Sequence, residues 1–355
     1  MVASIGENVT AGTNTGEGDA TFDVVVVGNG ALGLSLAVVL LRRGLRVAVV
    51  GDGRRPMAAS SAAGAMNGCF GEVTATTMAT VHGRARLEMD VVAARMWEDW
   101  LAGLEEDGGG DGRAARCARG TVVIHNAIGM AEIDDAAMTA IRAALKHYGE
   151  PFESVDPAEA VPWLDPQPTA RPLGGLFLPH EHGVDADALL DVLHAAVGRL
   201  GGTLIPKHAV RVVHETDEAR GIAQADGTVL AVERVVLAAG VGTQTLLDTL
   251  PADISAPIPR LISGFGVSVV LSNSPAVAPP DCVVRTPNRS FGCGLHTVPR
   301  GPGQVYVGAT NTTGPVPGAT PASAISRSCW TAPPSSCAGT CGSATFPPPG
   351  SATGR

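Results

Sequence analysis

Residues 23–33 read Asp23-Val-Val-Val-Val-Gly28-Asn29-Gly30-Ala31-Leu32-Gly33. Four consecutive valines form a buried-strand run, with β-branched side chains on both faces and no face left for water. The run passes directly into Gly-x-Gly-x-x-Gly. Residues 34–43 then read as a helix, Gly44 closes it, and Arg-Val-Ala-Val-Val at 46–50 is a second buried strand. Strand, glycine turn, helix and strand within about thirty residues is the context that makes this glycine pattern a dinucleotide signal. Gly28 allows the tight turn, Gly30 lets backbone approach a pyrophosphate, and Gly33 lets the helix pack on the strand. The first helical turn, which carries Ala31 and Leu32, points its amides at the phosphate charge.

Composition bounds what surrounds this unit. The chain has 355 residues, 45% hydrophobic, with a formal net charge of −9. That length supports one large core or two moderate ones. The acidic balance argues against nonspecific nucleic-acid binding, and no apolar run approaches a membrane span. Residues 1–21 are polar and Gly/Thr-rich, without a basic start or apolar h-region, and read as a disordered leader. A cytoplasmic location with reduced thiols follows as the expectation. None of the seven cysteines forms a C-x-x-C pair, so a zinc site is not expected. His180-Glu-His182, with no third ligand in reach, reads as a polar loop, and no metal is expected.

Periodicity predicts a long helix over 85–106, with Trp97, Trp100, Leu101 and Leu104 on one face, and a second through Met138, Ile141, Leu145 and Tyr148. Asp185 or Asp187 can cap a helix with apolar face Leu189, Leu193, Val197 and Leu200. Short strands are expected at 121–124, 174–179, 203–205, 210–214, 222–225, 229–231 and 235–237, and further antiparallel strands at 264–271, 282–285 and 304–308. Residues 57–68 are rich in small side chains, as expected where backbone touches a ligand.

Five blocks in order now resemble one family: Gly28–Gly33, Ser60-Ser-Ala-Ala-Gly64, Gly183-Val-Asp-Ala-Asp187, Val235-Val-Leu-Ala-Ala-Gly240, and Val298-Pro-Arg300 leading to Val307-Gly-Ala-Thr310. Over about residues 22–325 the chain resembles the glycine oxidase / D-amino-acid oxidase family of FAD-dependent amine oxidoreductases. The resemblance implies an α/β chain, α+β overall. A Rossmann-like FAD-binding domain of discontinuous segments (22–83 and 183–251) accompanies a substrate domain with a large antiparallel sheet (84–182 and 252–325). It implies oxidative deamination of a primary or secondary amine or amino acid. Hydride passes from the amine-bearing carbon to the flavin, the imine hydrolyses, and oxygen or another acceptor takes the electrons. Glycine, sarcosine, a D-amino acid or a specialised biosynthetic amine all fit. By family position, Ser60, Ser61, Ala63, Gly64, Ala65 and Met66 line the flavin. Val210 meets the adenine side through its backbone, and Ala239 and Gly240 lie near the cofactor.

Three positions depart from the family pattern. The ribose-binding acid should close the second strand, where Gly51 stands; Asp52 takes the role only if the strand end shifts by one residue. Some relatives tether flavin through a His where Ser61 stands here, so noncovalent FAD is expected. Relatives place an active-site Tyr just ahead of Val-Pro-Arg; counting back from Val298 gives His296 on the substrate side, able to hydrogen-bond an amine or carboxylate. Arg285, Arg289 and Arg300 are alternative carboxylate partners, and Cys293 reads as a small buried residue.

The family continues beyond Thr310 with a helix and Gly-x-Arg-Pro, whose Arg clamps the substrate carboxylate. Residues 326–355 show no apolar periodicity. Back-translated in a shifted frame, they can read as an amphipathic helix followed by Arg-Val-Gly-x-Arg-Pro. A frameshift near Arg327, leaving an out-of-frame tail and weak or absent FAD binding, is the expectation. Two alternatives stand beside amine oxidation. One is an inactive truncated product that retains nucleotide binding. The other is a nicotinamide-dependent dehydrogenase.

Overall fold

A computed structural model of the chain describes residues 22–55, 58–108, 110–126, 131–161, 172–216, 218–232, 234–272, 281–289, 294–301, 303–310 and 312–314. Residues 1–21, Cys293 and 315–355, and with them the leader and the tail expected to be out of frame, lie outside it.

The valine run, Val24–Val27, has a parallel neighbour on each side. The order of the four-stranded sheet is Val235–Leu237, Val24–Val27, Val47–Val50, Thr203–Ile205, every pair parallel. This explains why the strand is all valine. Val24 and Val26 face a core with Leu34, Val38 and Leu193, while Val25 and Val27 face a second core with Val212, Ile222 and Leu246. Helices Ala31–Arg42 and Ala186–Arg199 cover the first face. A three-stranded antiparallel sheet, Ala209–Glu215, Glu218–Gln224 and Val229–Ala231, contributes to the second. Of the two candidate caps, Asp185 is the one used: its Oδ1 accepts from the amides of Asp187 and Ala188, both at 3.0 Å.

An eight-stranded sheet forms the other large unit, mainly antiparallel with one parallel pair between Val283–Arg285 and Arg116–Asn126. Its longest member, Pro172–Val184, extends well beyond the expected 174–179. Arg116–Asn126 pairs with it through a ladder interrupted by three irregularities, so its far end continues to Gly183 and reaches Met66–Asn67.

The long helix runs Val81–Glu106, four residues earlier than its periodicity suggested, because Thr80 caps it by accepting from the Gly83 amide at 3.0 Å. Its first half buries Leu87 and Val91 against the large sheet's core, and its second half buries Leu101 and Leu104 in the core beneath the parallel sheet. One helix thus ties the two sheets together. Among the described residues no helix is long and apolar enough to cross a membrane.

Candidate functional site

The turn after the first strand depends on its glycines. Gly28 has φ +119°, and a Cβ there would meet the Ala238 carbonyl oxygen at 2.2 Å. A Cβ on Gly33 would meet the Gly28 carbonyl oxygen at 1.9 Å, so the first helical turn rests on the strand end. Gly30 is extended and caps the helix without a side chain; the first turn carries no acid. The Ala31 amide donates to Ser60 Oγ at 3.0 Å, and Leu32 is exposed. The Ser60 hydroxyl thus takes the first helical amide and stands 2.9 Å from where a Gly30 Cβ would be. The next amides of the turn remain for a pyrophosphate, and the Ala31 amide joins them where a phosphate oxygen replaces Ser60 Oγ. Gly240, at φ +58°, starts the turn that leaves the adjacent strand end, and Ala239 is half-buried beside it.

At the end of the second strand, Gly51 donates its amide to the Ile205 carbonyl. Asn29 leans over it: a Cβ on Gly51 would lie 2.7 Å from Asn29 Cγ and Oδ1. Asn29 Nδ2 donates to the Asp52 carbonyl at 2.6 Å, and the Asp52 carboxylate lies 2.8 Å from His208 Nδ1. Val210 is partly exposed, and the ladder between its strand and the next is irregular at that point, between the pairs Ala209–Gln224 and Arg211–Ala223.

The small-residue loop is held from the large sheet. Arg300 donates from Nη2 to the Ser61 carbonyl at 2.8 Å and from Nη1 to the Ala63 carbonyl at 3.1 Å. Its guanidinium also lies 3.5 Å from Asp187 and over the Tyr306 ring. Ala65 adopts φ +50°, its carbonyl accepts from the Val184 amide, and Met66 pairs with Gly183. Gly68 serves something other than ligand approach: a Cβ there would meet Glu181 Oε2 at 2.5 Å. The Glu181 carboxylate is buried and accepts from the Phe70 and Gly71 amides at 2.7 and 2.9 Å. Burial raises its pKa, and the amides and the Arg285 charge only partly oppose that.

Because Arg300 holds two carbonyls of one loop with charged donors, Arg300→Ala should free the segment 61–63. Loss of two such hydrogen bonds is expected to weaken FAD binding roughly tenfold or more. Fluorescence titration with FAD checks this, and Arg300→Lys, which lacks the fork, should recover only part.

His296 stands against this loop. It is buried on strand His296–Pro299, directly across from Arg285, and its ring stacks on Tyr306 with centroids 5.7 Å apart. Nδ1 lies 3.0 Å from the Gly294 carbonyl, which assigns the proton to Nδ1. Nε2 is left as an acceptor, 3.1 Å from where a Gly64 Cβ would be. Burial is the main cause holding its pKa below the ordinary value, so the ring is neutral near pH 7. Sequence reasoning passed over Tyr306, although it immediately precedes the quoted Val307-Gly-Ala-Thr310 block.

The three arginines considered as carboxylate partners all have protein partners. Arg285, with its side chain 2% exposed, pairs with Glu72 and donates to Asn288 Oδ1 at 2.5 Å. Arg289 grips Asp134 with two bonds of 3.1 and 3.0 Å, and Arg300 is spent on the loop. Burial alone would raise the Glu72 pKa; Arg285's charge and the bonds from Arg285 and Asn288 outweigh it, and the net shift is downward. In the pair His180 and His182, the two rings serve different partners. His180 meets Glu150 at 3.1 Å, and His182 meets Asn67 at 3.1 Å.

Burial is the leading cause that lowers the pKa of His182, to about 4, and of His194 and His296 from the ordinary 6.5. The unfolded chain therefore takes up protons at a pH where the folded rings do not. Stability should be complete above about pH 6.5 and decline as pH falls toward about 4. Urea midpoints across that range check this, and His182→Gln should flatten the decline. Identical midpoints at the two ends would refute it.

The family described as FAD dependent oxidoreductase (DAO) matches residues 23–330. Among solved structures, glycine oxidase from Bacillus cereus ATCC 14579 has a TM-score of 0.66 at 19% identity, covering 88% of this chain and 80% of that one. Glycine oxidase from Geobacillus kaustophilus has a TM-score of 0.64 at 22% identity, covering 83% and 72%. Iminodiacetate oxidase from Chelativorans sp. BNC1 has a TM-score of 0.67 at 19% identity, covering 88% and 78%. At these identities the likeness is one of fold. No curated protein matches by sequence.

Proposed function

Because this chain belongs to the DAO family of FAD dependent oxidoreductases, we propose that it oxidises a primary or secondary amine, or an amino acid, at the carbon bearing nitrogen. Bound noncovalently, FAD supplies the acceptor for the hydride from that carbon; the imine product is hydrolysed, and oxygen or another acceptor removes the electrons. In this reading residues 22–83 and 183–251 hold the cofactor, and 84–182 with 252–325 shape the substrate side. Gly28, Gly30 and Gly33, with the Leu32 amide, cradle the pyrophosphate, and the Ala31 amide joins them where a phosphate oxygen replaces Ser60 Oγ. The loop from Ser60 to Met66 lines the flavin, Val210 meets the adenine, and Ala239 and Gly240 flank the cofactor. A cytoplasmic setting accords with this reading: Cys69, Cys117 and Cys282 are free thiols.

The observation that carries the proposal is the state of His296. Its one N–H is committed to the Gly294 carbonyl, so the nitrogen facing the loop can only accept. An acceptor suits the N–H of an amine and repels a carboxylate. Held neutral by burial, it can also take the proton that an ammonium must lose before its carbon yields a hydride. Tyr306, stacked on the ring, fixes its plane. Structural neighbours named for glycine and iminodiacetate oxidation lead us to place secondary and primary amino acids among the substrates to test.

Anaerobic addition of glycine, sarcosine, D-alanine and iminodiacetate to the FAD-loaded chain should bleach the flavin with at least one of them. His296→Ala should slow that bleaching by roughly a hundredfold, within the range of general acid–base contributions, while leaving FAD affinity nearly unchanged. A flavin that stays oxidised with every amine would sink the proposal.

A further inference from the structure

The adenosine end of the glycine turn departs from the usual chemistry of such sites. A ribose is ordinarily recognised by an acid at the end of the second strand; that carboxylate accepts from the 2′-hydroxyl and repels a 2′-phosphate. Here the position is Gly51, and the room a side chain would need is taken by Asn29, 2.7 Å from the place of a Cβ. The acid that follows it, Asp52, turns its carboxylate to His208 at 2.8 Å. Its backbone carbonyl receives Asn29 Nδ2 at 2.6 Å. That bond orients the amide: the nitrogen faces the protein, and Oδ1 is left as the acceptor beside the strand end. The loop beyond carries Arg54, bound to Asp191 at 2.5 Å, and the exposed Arg55, which makes no ion pair among the described residues.

We propose that Asn29 is the ribose-specificity residue of this site, and that its neutral amide lets the site take adenosine carrying a 2′-phosphate as well as adenosine with a free 2′-hydroxyl. A hydroxyl donates to Oδ1. A phosphate meets a neutral amide where a strand-end acid would stand, with the Asp52 carboxylate turned to His208. Arg54 is paired with Asp191 and Asp187, so the exposed Arg55 is the cation that supplies positive potential, as an arginine does in sites that accept 2′-phosphates. The inference rests on the reading that the glycine turn holds an adenine dinucleotide, and it concerns only the far end of that ligand.

Calorimetric titration of the full chain with ADP, 2′-deoxy-ADP and 2′-phospho-ADP tests it, with FAD titrated in parallel. ADP and 2′-phospho-ADP should bind within about threefold of each other, and 2′-deoxy-ADP several-fold more weakly than ADP. Asn29→Ala should erase the difference between ADP and 2′-deoxy-ADP. Asn29→Gly combined with Gly51→Glu restores a strand-end acid without the clash, and should weaken 2′-phospho-ADP about tenfold or more relative to ADP. Circular dichroism confirms that each variant is folded.

Two results overturn the inference while leaving FAD binding intact. One is a preference of the unaltered chain for ADP over 2′-phospho-ADP of more than about thirtyfold. The other is a larger loss of ADP affinity from Asp52→Asn than from Asn29→Ala, which would put the ribose on Asp52. No binding of FAD or ADP removes the underlying reading, and the inference with it.

Discussion

Gly33→Ala is expected to release FAD and to destabilise the chain by about 3 kcal/mol, the upper range for overpacking a close contact. On helix propensity alone the change should help, since alanine is favoured over glycine inside a helix by about 1 kcal/mol. The geometry reverses the sign. The added methyl would lie 1.9 Å from the Gly28 carbonyl oxygen. That is backbone of the turn itself, so no flexible side chain can yield. Relief requires the helix Ala31–Arg42 to lift from the strand by roughly 1.5 Å, the gap between that distance and ordinary contact. Lifting it unpacks Leu34, Ala37 and Val38 from Val24 and Val26, and moves the first-turn amides away from the place proposed for the pyrophosphate. Denaturant unfolding and FAD titration together check the result. A variant with unchanged FAD affinity would contradict the cradle.

Glu72→Gln is expected to cost about 3 kcal/mol, because it leaves the Arg285 guanidinium charged and buried beside a neutral amide. The ion pair is not itself strong evidence of stability, as its formation strips water from both groups. The asymmetry is what matters. Glu72 remains about a third exposed, whereas the Arg285 side chain is 2% exposed and cannot recover water. Glu72→Leu with Arg285→Met, removing both charges, should therefore recover most of the loss. Equilibrium urea unfolding of the single and double variants decides it. A double variant as unstable as the single would locate the effect in packing. The pair also sits on the site: Arg285 is the cross-strand neighbour of His296, and its charge is among the influences that keep that ring neutral. Loss of Glu72 should therefore alter the pH dependence of turnover as well as stability.

How much of this was legible in the sequence follows from the range of each interaction. The parallel unit was readable because its signals are local: four valines, three glycines and a helix within one stretch. The cap at Asp185 was readable as a choice between two acids, and side-chain geometry selected one. The first turn of the long helix was missed because it rests on a Thr80 cap and carries little apolar periodicity. The length of the strand Pro172–Val184 was missed because a ladder with irregularities depends on the partner strand. At the candidate site, register within a motif pointed to His296, which the structure sets against the loop at Gly64. Tyr306 and Glu72 were not singled out, since each acquires a role only across sequence separations that no local pattern encodes.

By itself, the sequence determined the glycine turn, the identity of the dinucleotide unit and the family to which it belongs. Those features live in contiguous residues whose backbone demands can be met in only one way. Only the tertiary structure decided what occupies the space around them. Asn29 fills the place of the missing acid over Gly51, Arg300 ties the loop at Ser61 and Ala63, and Gly68 gives room to Glu181. Arg285, which sequence alone offered to a substrate carboxylate, is already bound to Glu72. The reason is physical: a side chain's chemistry is written in its residue type, but its availability depends on which partner reaches it first in the folded chain.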